Sequence, residues 1–176
     1  MQTKPRIVYT NRGNQLDLTD PKPNAVDIDD IGWSLSNVCR FGGHSKVFFS
    51  LAEHAVAVSY MVSEKLAGQA FAYNFPCAYL GDMWVSKHFH WTVERWRVWK
   101  AISERFGVRY DIYGDVEFAD RLATSTELRE LTTFPTSAWS GLPQPMSVDV
   151  EPIGKEHAYH IFLRRYRSLK SEKLLK

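Results

Sequence analysis

The chain has 176 residues and a mass of 20.3 kDa, a size that suits one domain with a substantial hydrophobic core. Its net charge of +2 gives no strong signal for a nucleic-acid or membrane partner. Two cysteines without a Cys-x-x-Cys pattern exclude a disulfide framework, and the polar N-terminus and short apolar runs predict a cytoplasmic protein.

The elements in chain order predict an all-α domain with a short N-terminal β-hairpin. Residues 1–22 form the predicted hairpin arm, where apolar residues from Ile7 to Leu18 flank a polar turn. Residues 23–176 form the predicted helical core. Its helices are expected at about 27–38, 50–66, 68–80, 92–106, 115–131 and 154–175.

Two local signals refine the predicted helices. Ser50 and Glu53 have the spacing of a capping box at the start of the second helix. Pro76 predicts a kink or break in the third helix, because proline lacks an N–H and its ring clashes with the carbonyl of Ala72. His54 shares an apolar helix face and is expected to point inward, which by spacing alone is more typical of a core histidine than of a ligand.

Several short motifs follow one another in a characteristic order: Asn37–His44 (NVCRFGGH), Ser50–His54 (SLAEH), Ala78–Asp82 (AYLGD) and Ala119-Asp120. In this order the chain resembles the HD-domain phosphohydrolases, in particular the small 5′-deoxynucleotidase-like and phage dNTP-hydrolase-like members. The resemblance covers nearly the whole chain. It implies an HD-domain helical fold. It also implies that the protein comes from a bacterium, or from a phage, in which case it acts in the host cytoplasm.

The same resemblance implies a divalent metal held by a His, a His-Asp doublet and a distant Asp. The first His matches His54 and the distant Asp matches Asp120, but Tyr73-Asn74 stands in the doublet position and Cys77 replaces an expected glutamate. Two remaining ligands are too few for a dedicated metal site, so we expect no cofactor. We expect a bound zinc, manganese, cobalt or magnesium ion only if His54, Cys77 and Asp120 form a remodelled centre. The simpler interpretation is that Cys77 is a small buried apolar residue and does not bind a metal.

On the ligand side, the resemblance assigns Arg40 to a nucleotide phosphate, a role that suits a guanidinium fork. Its alternative role is to interact with the last carbonyls of the preceding helix. The flexible Gly42-Gly43 turn lets backbone approach a ligand. The expected ligand-binding set is Arg40, Phe41, His44, Tyr73, Asn74, Asp82 and Trp84. The catalytic residue is unknown, with His54, Asp82 and Cys77 as candidates. His88 and His90 lie in a predicted loop and are more typical of surface residues.

Three functions compete on these observations. The first is a nucleotide-binding protein, derived from metal-dependent phosphohydrolases but without their metal-dependent hydrolysis. The second is an enzyme with a remodelled centre, either a phosphohydrolase using His54, Cys77 and Asp120 or another nucleotide-modifying activity. The third is a scaffold or interaction module. The expected partner is a nucleotide or other small phosphorylated ligand, and a homo-oligomer stays open.

Overall fold

The structure is a computed structural model that describes residues 4–82, 92–135, 137 and 140–176. The chain begins with two antiparallel strands, β1 (Ile7–Tyr9) and β2 (Gln15–Asp17). Helices make up most of the rest: α1 (Ile28–Asn37), α2 (Leu51–Tyr60), α3 (Ala67–Ala72), α4 (Cys77–Leu80), α5 (Val93–Phe106), α6 (Gly114–Leu131) and α7 (Lys155–Ser171). The predicted class, a mostly helical chain with an N-terminal hairpin, is confirmed.

The hairpin is fastened to the N-terminus of α1 by hydrogen bonds to the carboxylate of Asp30. Asp27 caps α1 by accepting from the backbone N–H groups of Asp29 and Asp30. The buried carboxylate of Asp30 in turn accepts from Thr10 Oγ1 at 2.8 Å and from Asn14 Nδ2 at 2.7 Å. Leu16 is fully buried in the same core cluster as residues of α1, so the arm packs into the helical core.

Helix α2 begins as predicted but ends early. The Ser50 hydroxyl accepts from the Glu53 N–H, and the Glu53 side chain accepts from the Ser50 N–H, which completes the capping box. The helix ends at Tyr60 instead of residue 66. Ser63 has extended backbone geometry, and a separate 3-10 turn, Glu64–Leu66, leads into α3.

The break predicted at Pro76 is confirmed. Helix α3 ends at Ala72, four residues follow in turns, and α4 begins at Cys77, directly after Pro76. The backbone bonds across the break span three residues, from Phe75 N–H to Ala72 O and from Cys77 N–H to Asn74 O. Tyr73 and Asn74, which occupy the position of the metal-binding doublet, therefore lie in the turn between α3 and α4.

The main core surrounds the aromatic rings of Phe71, Phe75 and Phe162, and α7 packs across both α1 and α2. A smaller apolar cluster joins α2, α3 and α6, and the Tyr73 ring belongs to it. Between these two clusters, α2 and α6 bring their polar side chains together. Of the helices that the structure describes, none has the length and apolarity needed to cross a membrane.

Candidate functional site

The centre of the site is His54, which lies on α2 and is fully buried between two acidic side chains of α6. Its Nδ1 is 2.6 Å from Glu127 Oε1, and its Nε2 is 2.9 Å from Asp120 Oδ1. Asp120 and Glu127 are seven residues apart on one helix, a spacing that places both on the same face. Two turns of α6 thus present one carboxylate to each nitrogen of the imidazole.

The electrostatics of this centre favour a protonated histidine. Burial and the nearby charge of Arg40 oppose the imidazolium, but Glu127 and the hydrogen bond to Asp120 outweigh them and raise the pKa of His54 to about 9. The same contacts lower the pKa values of Asp120 and Glu127, although burial opposes ionisation of both carboxyls. At neutral pH, both ring nitrogens of His54 therefore donate to carboxylates.

Asn74 completes the network on the side away from Glu127. Its Nδ2 donates to Asp120 Oδ1 at 2.7 Å, the same oxygen that accepts from His54. The Asp120 side chain is 20% exposed, whereas those of His54 and Glu127 are 1% and 4% exposed. Of these three side chains, that of Asp120 is therefore the one most exposed to solvent.

Arg40 is the second buried cation in contact with α6. Its Nε donates to Glu127 Oε2 at 2.9 Å, and a terminal nitrogen donates to Thr124 Oγ1 at 3.0 Å. The other terminal nitrogen lies 3.4 Å from each carboxylate oxygen of Asp82, a long contact. Glu127 thus bridges Arg40 and His54, and its charge helps to raise the pKa of Arg40 further above its usual range, although burial opposes this shift.

The chain after Arg40 adopts an unusual turn. Phe41, Gly42 and Gly43 have φ values of 58°, 61° and 85°, so three successive residues lie in the left-handed region. A non-glycine residue in this region carries backbone strain, and such strain persists only where its surroundings enforce it. Here Asp82 Oδ2 accepts from the Phe41 N–H at 2.7 Å, and the Phe41 ring is buried against Phe134.

Tyr73 and Cys77 face a different partner, Arg95 in the first turn of α5. One terminal nitrogen of Arg95 is 3.0 Å from Cys77 Sγ, and the other is 3.4 Å from the Tyr73 carbonyl oxygen. Burial raises the pKa of the Cys77 thiol, although Arg95 acts against this shift. Cys77 is therefore a neutral thiol beside a guanidinium.

The structure places the described predicted residues in three groups, with His44 apart from them. His54, Asn74 and Asp120 are joined by hydrogen bonds, and Arg40, Phe41 and Asp82 by the turn. Tyr73 and Cys77 lie beside Arg95, while His44 is exposed at the end of the turn. The predicted positions Trp84, His88 and His90 lie outside the described residues.

The donor set fits a divalent cation poorly. Both ring nitrogens of His54 already lie within hydrogen-bonding distance of carboxylates, Nδ1 of Glu127 and Nε2 of Asp120. The Asn74 amide directs its donor nitrogen to Asp120. The resemblance implies a metal cation beside the Asp120 carboxylate. In the structure, this carboxylate instead accepts hydrogen bonds from the Asn74 amide and the His54 imidazolium.

Three polar residues of the site have no assigned role in the sequence motifs: Thr124, Glu127 and Arg95. The spacing of Glu127 from Asp120 on α6 was a usable signal, because seven residues are two helical turns. Arg95 also carried a signal, because Val98 and Trp99 follow it at three and four residues and place it on the apolar face of α5. Its contacts with Cys77 and Tyr73 could not be read from that pattern.

Comparison with known proteins relates the chain to a bacterial relative. The Escherichia coli (strain K12) protein YfdR, described as uncharacterized, is 33% identical over 150 residues, which cover 82% of this chain and 84% of YfdR. The chain belongs to the YfdR family. No model of a known protein family matches this YfdR-family chain.

Proposed function

We propose that this YfdR-family protein has an HD-type fold and binds a nucleotide or other small phosphorylated ligand without metal-dependent hydrolysis. The observation that carries the proposal is the link from Asn74 through Asp120 to the protonated His54. Through this link, side chains of the protein itself donate the hydrogen bonds that the Asp120 carboxylate accepts. A metal ion would have to displace both the proton and the amide.

The same link argues against hydrolysis by the metal-free centre. A bound metal ion lowers the pKa of water from about 15.7 to about 7. His54 is the alternative activator of water, but its raised pKa keeps it protonated at neutral pH. A protonated imidazole cannot accept a proton as a general base.

Binding of an anion makes smaller demands than hydrolysis. The longest contact of the Arg40 guanidinium is its ion pair with Asp82, at 3.4 Å to each carboxylate oxygen, and a phosphate that binds Arg40 would replace this contact. The adjacent left-handed turn is strained, as segments at ligand sites often are. The exposed His44 at the end of this turn is a further contact for phosphate.

The first test is binding and turnover by the purified full chain. Calorimetry with deoxynucleoside mono- and triphosphates should show saturable binding, while a phosphate-release assay with added Mn²⁺ or Co²⁺ should show none above background. Release that EDTA abolishes would overturn the proposal. An absence of binding across the panel would favour a scaffold role.

A matched pair of variants locates the binding site. His44→Ala removes an exposed imidazole at the turn, and His157→Ala removes an exposed imidazole on α7. His44→Ala should weaken binding by about threefold to tenfold, the order expected for one exposed hydrogen bond. His157→Ala should leave affinity unchanged. Equal affinities for the two variants would place the ligand elsewhere.

A further inference from the structure

The carboxylate of Asp82 contacts the turn after Arg40 in the way that a bound oxyanion does. Asp82 Oδ2 accepts from the Phe41 backbone N–H at 2.7 Å, and both carboxylate oxygens lie 3.4 Å from one terminal nitrogen of Arg40. A guanidinium nitrogen and a backbone N–H that converge on one group are typical donors to carboxylates and phosphates. Asp82 therefore occupies a two-donor oxyanion subsite with a group that belongs to the protein.

The charges of this centre oppose the addition of a second anion beside Asp82. Two cations and three carboxylates meet there: His54, Arg40, Asp82, Asp120 and Glu127. The five groups together carry a net charge of one negative unit. A phosphate that arrived with all three carboxylates in place would meet like charges in a buried setting, where solvent and salt screen them weakly. Binding of a phosphate at Arg40 is therefore favoured when one carboxylate withdraws.

Asp82 is the carboxylate that is placed to withdraw. Asp120 and Glu127 lie on α6, and each accepts two hydrogen bonds of 2.6 to 2.9 Å. Asp82 instead lies beyond the end of α4, after Gly81, whose φ of 80° and ψ of 171° favour glycine. Among the residues that the structure describes, no atom lies within 4 Å of the position that a Cβ on Gly81 would take. The chain at Asp82 therefore has both a glycine hinge and space beside it.

We propose that the phosphate of the ligand binds by displacing the Asp82 carboxylate and takes over its contacts with the Phe41 N–H and the Arg40 terminal nitrogen. This inference rests on the proposed function. Asp82 is then an internal competitor, which holds the turn when no ligand is bound and raises the ligand concentration needed to fill the subsite. The ligand must carry an oxyanion, because a neutral nucleoside has no charge with which to compete against a carboxylate.

The test measures binding of dAMP, and of deoxyadenosine, which lacks the phosphate, by calorimetry on the full chain. Asp82→Asn keeps an acceptor for the Phe41 N–H but removes the competing charge, so dAMP should bind at least about tenfold more tightly than to the wild type. Binding of deoxyadenosine should not improve. Asp111→Asn removes the same charge from a side chain that is 84% exposed and should change dAMP affinity less than about twofold. Unchanged or weaker dAMP binding by Asp82→Asn would overturn the displacement.

Amide resonances of the wild type test the same displacement without a substitution. A phosphate that replaces Asp82 changes the acceptor of the Phe41 N–H, so dAMP should shift this resonance strongly in isotope-labelled protein. The Lys176 amide, which donates to Phe106 O, is the internal control and should not shift.

These resonances decide the question if circular dichroism shows that Asp82→Asn is not folded. Binding of dAMP that leaves the Phe41 resonance unchanged would overturn the displacement and leave the proposed function standing. A lack of dAMP binding by both the wild type and Asp82→Asn would overturn the proposed function, and this inference with it.

Discussion

Glu127 is the residue that ties the centre together, because it accepts from His54 with one oxygen and from Arg40 with the other. Its carboxylate is 4% exposed, so both contacts are made away from water. Removing one partner from such a buried pair leaves a charge without compensation, which typically costs about 3–5 kcal/mol. We therefore expect truncation of any single member of this network to destabilise the fold, whether or not a ligand is bound.

The raised pKa of His54 predicts a pH dependence of stability. A group whose pKa is higher in the folded state, about 9 here against 6.5 in the unfolded chain, stabilises the fold fully below pH 6.5. This contribution, on the order of 3 kcal/mol at most, is lost as pH rises from 6.5 to 9. Urea unfolding at pH 6 and pH 9.5 measures it, and His54→Gln removes the difference. A wild type that gains stability over this range would contradict the assigned protonation state.

Metal affinity should respond to two residues at the α3–α4 break. Tyr73→His with Asn74→Asp restores the His-Asp doublet that the resemblance implies, and residue 74 lies beside Asp120, so zinc or manganese should bind at least about tenfold more tightly than to the wild type. Calorimetry and elemental analysis after purification without chelator measure this change. Each single variant is the control. Stoichiometric metal in the wild-type protein would show that the substituted centre still holds a cation.

At the residue scale, sequence reasoning reached the inward-facing His54 and matched it with Asp120, and the structure joins the two by a hydrogen bond. The motifs included Arg40 but not Glu127, and they gave none of the contacts that decide the protonation of His54. Glu127 contacts His54, which lies 73 residues earlier in the chain, and it contacts Arg40, which lies 87 residues earlier. Such pairings depend on how α2 and α6 cross, which local patterns do not determine.

Among the elements, the helices with strong end signals were predicted to within one or two residues. Examples are α1 with its Asp27 cap and α5, which ends at the left-handed Gly107. Helix α7 ends earlier than predicted, at Ser171, because Lys173 takes a left-handed conformation and the Leu174 N–H bonds to Leu169 O. Glycine usually fills that position, so a lysine there gave no stop signal.

The turn Arg40–Gly43 depends on Asp82, and this dependence can be measured. Asp82→Asn keeps an acceptor for the Phe41 N–H but removes the charge facing Arg40, whereas Asp82→Ala removes both. We expect Asn to destabilise by about 1–3 kcal/mol and Ala by about 1 kcal/mol more, the cost of leaving a buried N–H without its acceptor. Urea unfolding measures both, and equal stability of the two variants would show that the N–H contact contributes little.

On the scale of the whole molecule, the two ends of the described chain are both fastened to the helical core. The hairpin is held through Asp30, and the last residues fold back so that the Lys176 N–H donates to Phe106 O at 2.8 Å. Leu175 is buried in the main core cluster. Tight packing of the C-terminal segment requires a neighbour with no side chain, and that neighbour is Gly68 on α3.

Gly68 provides the sharpest test of this packing, because local propensity and tertiary contact predict opposite results. Alanine within a helix is favoured over glycine by about 1 kcal/mol, so Gly68→Ala should stabilise α3 if the segment were undocked. In the structure, an added Cβ would lie 3.0 Å from the Leu174 carbonyl carbon and closer still to its oxygen. Both are backbone atoms, which cannot turn aside as a side chain does.

We therefore expect Gly68→Ala to lower the free energy of unfolding by about 1–3 kcal/mol, the usual cost of overpacking. Gly114→Ala at the start of α6 is the matched control, since its Cβ would meet no atom within 4 Å. That variant should be neutral or slightly stabilising. Thermal and urea unfolding measure both variants, and Gly68→Ala should also raise hydrogen exchange at the Lys176 amide. A stabilising effect of Gly68→Ala would mean that the C-terminal segment does not pack against α3 in solution.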